Sequence, residues 1–275
     1  FIIHPLTAKD FARKFPFTKY WSDEFIEGVI KYLPPFKVSH ITGVKSAFNE
    51  VEGWFVGCPL TSRQMVSLPE PYVLKKIIQA GKVAQKLGAK IVGLGAFTSI
   101  VGDAGITVAK NLDIAVTTGN SYTVATALEG TRLAAKLMDI NLERANVVVL
   151  GATGSIGAAC ARIMAREVRY LTLVARHEAK LEKIASQILR STGLAVKVTA
   201  NTKSALRTAD VVIAVTSAID SIIEPEDLKP GAVVCDVARP RNVSRRVAEL
   251  RNDVLVIEGG IVEVPGDVNF GLNFG

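Results

Sequence analysis

Cysteine is scarce in this chain: three in 275 residues, at Cys58, Cys160 and Cys235. They lie too far apart for a CxxC pair or for Cys/His zinc spacing, so no metal centre is expected. Two of the three sit inside apolar stretches, where cysteine acts as small core packing, and that usage suits a reducing cytoplasm. No run is long and apolar enough to span a bilayer, and no secretory leader is visible. Internal repeats and low-complexity tracts are missing as well. The chain opens on Phe1 rather than methionine and closes on Val-Asn-Phe-Gly-Leu-Asn-Phe-Gly without a helix, so both ends read as trimmed. Acidic residues are outnumbered, 26 to 33, leaving a formal charge of +7. That balance suits small anionic ligands. The charge is spread along the chain, so no nucleic-acid partner is expected, and a well-solvated basic surface explains it equally well.

What is present is the balance of a folded α/β protein: 49% hydrophobic and 21% charged residues, at a length that holds two domains. In the first part, Phe25–Tyr32 reads as a short amphipathic helix and Phe48–Gly57 as a hairpin with a turn-like centre. Tyr72–Leu87 has helical spacing stopped by Gly88, Lys90–Leu94 reads as a strand, and Ile106–Ala109 is a candidate for another, in a run too short for periodicity to settle. Ser121–Ile140 is strongly helical and looks like a connector. Beyond it the order becomes regular, with strands at 146–150, 170–174, 195–199, 210–215, 232–235 and 254–257, and helices at 155–166, 178–189 and about 204–207. Val, Ile and Leu-rich strands alternating with helices predict a parallel sheet covered on both faces. The expected organisation is α/β in two domains. An N-terminal α/β catalytic or substrate domain (1–120) is followed by a connecting helix and linker (121–144), a doubly wound parallel-sheet domain (145–258) and a C-terminal return segment (259–275).

The most informative motif is Val147-Val-Val-Leu-Gly151-Ala-Thr153-Gly154-Ser155-Ile156-Gly157. A buried strand runs directly into Gly151 and a helix begins just beyond. Glycine at such a turn allows backbone angles closed to other residues and lets a pyrophosphate approach, while the open N–H groups of the helix start meet its charge. Gly157 lets the helix press on the strand. The spacing is GxxGxxG rather than GxGxxG, and a glycine-rich turn without ligand is the plain alternative. The strand–turn–helix setting favours a dinucleotide on a Rossmann domain.

The second strand of such a domain selects the cofactor. NAD enzymes usually end it with a carboxylate that holds the ribose hydroxyls. This chain has Leu173-Val-Ala175-Arg176-His177 instead. A carboxylate repels a 2′-phosphate, whereas arginine grips it with paired charge-assisted hydrogen bonds, so NADP (NADPH) is the expected cofactor. The alternative role for Arg176 is capping the following helix. His177 reads as a neighbour of the adenine rather than a catalyst.

Five segments occur in a telling order: Leu94-Gly-Ala-Phe-Thr-Ser-Ile100, Thr117-Thr-Gly-Asn-Ser-Tyr-Thr123, Val149 to Gly157, Val174-Ala-Arg176, and Glu258-Gly-Gly-Ile-Val-Glu263. Together they resemble the long-chain acyl-[acyl-carrier-protein] reductases and the relatives described as predicted amino-acid dehydrogenases, over about Pro34 to Glu263. That resemblance implies an NADPH-dependent enzyme reducing an acyl thioester to an aldehyde through a cysteine thioester. The family's cysteine follows the GGVVE-like segment, and Pro265 stands at the matching place here. The sequence therefore departs from the family where that chemistry resides. Val234-Cys-Asp-Val-Ala-Arg-Pro-Arg241 is similar to the segment that closes the cofactor site in glutamyl-tRNA reductases and shikimate dehydrogenases, and Ala214-Val-Thr216-Ser217 to the loop beside the nicotinamide ribose. The resemblance implies contacts from Thr216 and Ser217 to the cofactor; Gly260, with Gly259 after the last strand, either lets the backbone approach the nicotinamide ring or only makes a tight turn.

Candidates for catalysis are Cys58, Ser99 and Asn120. Cys58 follows a strand and is either a thiolate at a cleft or a core cysteine. Ser99, with Thr98, Thr118 and Asn120, sits in short polar segments that present hydroxyls and amides to a carbonyl, or that cap helices. Lys45, Asp267 and His40 are further proton-transfer candidates set against ordinary surface roles. The expectation is hydride transfer between NADP(H) and a carbonyl, imine or acyl substrate, in a protein able to form a homodimer. Acyl-thioester reduction and a non-catalytic NADP-binding regulator are the alternatives.

Overall fold

The computed structural model describes residues 1–216, 218, 222–238, 240–261, 264 and 266–272. It divides into two compact units, Phe1–Gly119 with Glu263–Gly275, and Asn120–Val262. Among the described residues no helix is long and apolar enough to cross a membrane.

The first unit runs β1 (Ile2–Ile3), α1 (Ala8–Lys14), α2 (Asp23–Ile30), β2 (Phe36–Lys45), β3 (Glu50–Gly57), α3 (Ser62–Ser67), α4 (Glu70–Lys86), β4 (Ile91–Gly93), α5 (Ile106–Lys110) and β5 (Ala115–Thr117). Strands β2 and β3 pair antiparallel, and β1 adds parallel to β3. Val73, Ile77, Ala80 and Ala84 recur at helical spacing on α4, and all four are buried with Ile2, Val56, Leu60, Val92, Leu94 and Phe97. One turn apart on the same helix, Tyr72 Oη donates to the Lys31 carbonyl at 2.5 Å and Lys76 Nζ to the Leu33 carbonyl at 2.7 Å. These bonds tie the segment that follows α2 to α4. The chain's last described residues return to this unit: Thr42 bridges Asn269, and Ser39 Oγ donates to the Phe270 carbonyl at 2.7 Å.

The second unit runs α6 (Asn120–Leu137), β6 (Asn146–Leu150), α7 (Ser155–Met164), β7 (Tyr170–Val174), α8 (Glu178–Thr192), β8 (Lys197–Thr199), α9 (Thr202–Leu206), β9 (Val211–Ala214), β10 (Val233–Asp236), α10 (Arg245–Leu250) and β11 (Leu255–Glu258). All six strands are parallel, in the order β8-β7-β6-β9-β10-β11. Counted from β6 this is 3-2-1-4-5-6, the doubly wound order. The strand period of two divides the side chains between faces. Val147, Val149, Leu171, Leu173, Ile213 and Cys235 pack with Leu128 of α6, Met164 of α7 and Leu181 of α8. Val148, Leu150, Val174, Val212 and Val234 pack with Leu206 and Val247 on the other face. Each such buried side chain contributes about 1.5–3 kcal/mol of burial.

Three local expectations change. Residues 106–109 form helix α5, not a strand: Gly105 at φ +89° starts it, and Thr107 donates from its backbone N and Oγ1 to the Asp103 carboxylate. The hairpin turn lies at residues 46–49, where Ser46 N donates to the Asn49 carbonyl, and the supposed centre near Glu52 runs straight through β3. Helix α6 packs on α7 and β10 inside the second unit, and so does more than connect.

Candidate functional site

The site is built at the reversal of strand order, where β6 is flanked by β7 on one side and β9 on the other. Leu150 ends β6 and Gly151 turns at φ +86°. A Cβ there would lie 2.7 Å from the Val215 carbonyl oxygen, so the turn is pressed against the end of β9. Gly151 N and Ala152 N both donate to the Val174 carbonyl, at 2.8 and 3.2 Å, which ties the turn to the end of β7. Gly157 is buried on α7, and a Cβ there would come within 2.9 Å of both Gly151 C and Val215 Cγ2. Both glycines are demanded by close approach.

Helix α7 starts at Ser155 after the extended Gly154, and no side chain caps it. Gly154 and Ser155 are exposed; Thr153 and Ile156 are half-buried. An uncapped helix start behind a glycine turn fits a pyrophosphate: the cradle is open, and its donors face a charge they attract. Asn120, the first residue of α6, donates from Nδ2 to Ser155 Oγ at 2.8 Å. The fold thus brings one proposed catalytic residue to the glycine turn itself.

At the end of β7, Ala175 is half-buried while Arg176 and His177 are exposed. His177 is the N-cap of α8 and makes no side-chain cap bond. Arg176 has no hydrogen bond or ion pair among the described residues, so its alternative role as a helix cap is not what the structure contains. The first carboxylate after β7 is Glu178, already in the first turn of α8.

On the other half, Val215 and Thr216 follow β9. Thr216 donates to Asn242 Oδ1 from its backbone N at 3.2 Å and from Oγ1 at 2.9 Å. Asp236, buried at the end of β10, accepts from Ala238 N at 3.1 Å and Val243 N at 2.9 Å, shaping the turn that carries Asn242. Asn242 is fully buried, and its Nδ2 has no partner among the described residues. Arg241 pairs with Glu258 at the end of β11. A Cβ on Gly259 would sit 2.5 Å from Cys235 Sγ, and one on Gly260 would sit 2.7 Å from the Val237 carbonyl, so the backbone passes β10 closely. Ser217, Arg239 and Pro265 lie outside the described residues.

Cys58 and Ser99 belong to the first unit. Cys58 has no exposed surface, and burial pushes its thiol up to about 12, against a smaller opposing pull from Lys76. It is a core cysteine, which removes the thiolate reading, because the nucleophile is the ionised form. Burial also raises the other two thiols, Cys160 to about 12. Ser99 Oγ donates to the Ala96 carbonyl at 2.7 Å and Thr98 Oγ1 to the Gly95 carbonyl at 2.7 Å, so both hydroxyl protons serve a local turn rather than a substrate. Ala96 itself is held at φ +46°. His40 stacks on Trp54 and bonds Glu52 at 2.7 Å, and Lys45 pairs with Glu50, all on the β2–β3 hairpin. Asp267 is exposed. Sequence reading missed Asp236 and Asn242. The signal available was a carboxylate closing the apolar run Val233-Val-Cys-Asp236.

Residues 132–258 match the Shikimate / quinate 5-dehydrogenase family. Over 246 residues the chain is 29% identical to the aminotransferase PigE of Serratia sp. (strain ATCC 39006), covering 89% of this chain and 28% of that protein. Over 280 residues it is 28% identical to the long-chain acyl-[acyl-carrier-protein] reductase of Synechococcus elongatus, covering 96% of this chain and 77% of that protein. It therefore spans little more than a quarter of the first relative and about three quarters of the second. Among solved structures, the dipicolinate synthase A chain from Bacillus subtilis matches at TM-score 0.43 and 20% identity, over 68% of this chain and 60% of that one. The chain is thus similar over residues 132–258 to shikimate and quinate dehydrogenases and over most of its length to an acyl-[acyl-carrier-protein] reductase, and its second unit has the strand order of a Rossmann fold.

Proposed function

We propose that this chain is an NADP(H)-dependent oxidoreductase that moves hydride between the nicotinamide and the carbon of a carbonyl, imine or acyl group. One observation carries the reading: an open, uncapped glycine turn at the reversal of strand order, with an arginine at the end of the neighbouring strand that has no partner among the described residues. Gly151, Thr153, Gly154, Ser155, Ile156 and Gly157 would hold the pyrophosphate. Ala175, Arg176 and His177 would receive the adenosine side, with Arg176 on the 2′-phosphate. Thr216, Ser217 and Gly260 would face the nicotinamide half. The bound cofactor supplies the redox chemistry; the protein supplies binding and orientation.

The test is calorimetric titration of NADPH and NADH into the wild type and Arg176→Ala. A charge-assisted pair is worth about 1.5–3 kcal/mol, so NADPH should bind roughly 10–100-fold more tightly than NADH, and the variant should lose that difference. Equal wild-type affinity for both would defeat the arginine argument.

Similarity along 96% of this chain to an acyl-thioester reductase favours a second reading, with an acyl thioester as substrate and an aldehyde and free thiol as products. None of Cys58, Cys160 and Cys235 is presented for an acyl-enzyme, so the reading needs no adduct on them. Aldehyde formed in step with NADPH oxidation would support it. Tight NADPH binding with no oxidation by any carbonyl, imine or acyl thioester would point to a binding regulator.

A further inference from the structure

Resting on the dinucleotide reading above, we infer that Asn242 is a positioning residue for the nicotinamide half of the site, acting through Thr216. Asn242 joins two stretches that are separate in sequence. Its side-chain oxygen takes both donors of Thr216, the backbone N–H at 3.2 Å and the hydroxyl at 2.9 Å. Its backbone carbonyl accepts from Ile222 N at 2.8 Å and Ile223 N at 3.1 Å. The amide orientation follows from chemistry: the Thr216 N–H can only donate, so Oδ1 and not Nδ2 must face it.

Thr216 is the residue where this matters. A Cβ on Gly151 would lie 3.0 Å from Thr216 N, so the segment Asn242 holds abuts the phosphate turn. It also follows β9, which opens the half of the sheet opposite the adenosine-binding strands. Two bonds from one rigid, fully buried acceptor fix both the backbone and the rotamer of Thr216. Among the described residues Nδ2 stays buried without a partner, which opposes folding, so stability alone does not account for the arrangement. Asp236 supports Asn242 from beneath by holding Val243 N.

The distinguishing measurement compares NADPH with 2′,5′-ADP, which has the adenosine half and no nicotinamide. In Asn242→Leu, similar in size but without the acceptor, the Kd for NADPH should rise at least tenfold while that for 2′,5′-ADP rises less than threefold. Thr216→Val, which loses the hydroxyl and keeps the N–H, should show the same selectivity at about three- to tenfold and decides the matter if Asn242→Leu does not fold. Thr216→Ser keeps both donors and should stay within twofold of wild type for both ligands. Unchanged NADPH affinity, or equal weakening of both ligands as a general loss of structure would give, overturns the assignment. Failure of the wild type to bind either ligand is a different result: it removes the dinucleotide reading, and this inference with it.

Discussion

Asn120 Nδ2 donates to Ser155 Oγ at 2.8 Å, joining the first residue of α6 to the first residue of α7. Because the serine oxygen accepts this bond, its own proton is left free to donate to an acceptor such as a phosphate oxygen. Ser155→Ala should therefore weaken NADPH binding by about 10–100-fold, the worth of one hydrogen bond to a charged group. Asn120→Ala should act in the same direction and less strongly. Calorimetry giving both variants wild-type affinity would remove Ser155 from the phosphate site.

Gly151 should tolerate no side chain. At φ +86°, with a would-be Cβ 2.7 Å from the Val215 carbonyl, alanine there costs about 1–3 kcal/mol of backbone strain in addition to the clash. We expect Gly151→Ala to lower the denaturant midpoint of the second unit and abolish dinucleotide binding. Retention of both would mean that the turn is looser than its contacts imply.

His4 should make the first unit acid-sensitive. Its Nε2 accepts from Phe97 N at 3.2 Å, its Nδ1 lies 2.9 Å from the Pro5 carbonyl, and burial holds its pKa below the usual histidine value of 6.5. The folded state keeps the ring neutral while the unfolded chain protonates near 6.5. Stability is thus fully present above that pH and declines as pH falls from there toward the lowered native pKa. In His4→Gln this slope between about pH 7 and 5 should flatten, as followed by urea unfolding monitored with tryptophan fluorescence. An identical pH profile in the variant would count against the assignment.

The three thiols should be silent in the native state. Burial pushes the Cys58 thiol up to about 12, so it stays protonated at pH 8, and it has no exposed surface. Iodoacetamide at pH 8 should label none of the three until denaturant is added, and Cys58→Ala should keep cofactor binding. Rapid native labelling of Cys58, or an acyl adduct on it, would restore it as a nucleophile.

Much of the second unit can be read from the chain. The Val- and Leu-rich runs at 146–150 and 170–174 become β6 and β7 with those bounds, since short, mostly apolar runs between turn signals have few other uses in an α/β context. The first unit is harder, for identifiable reasons. Five residues at 106–110 are too short to show a period, and what makes them helical is the Asp103 carboxylate bonding Thr107. Ser99 looked like a hydroxyl offered to substrate, yet its proton goes to the Ala96 carbonyl, a bond set by the strained turn at Ala96.

The sequence by itself determined which faces are apolar and where the chain must turn through glycine, because side-chain period and backbone sterics are local properties. Only the tertiary structure decided that β9 lies beside β6, that Cys58 has no access to solvent, and that Asn242 closes on Thr216 from 26 residues away. Those outcomes depend on which distant surfaces pack and which buried polar atoms find partners, and no local pattern carries that information.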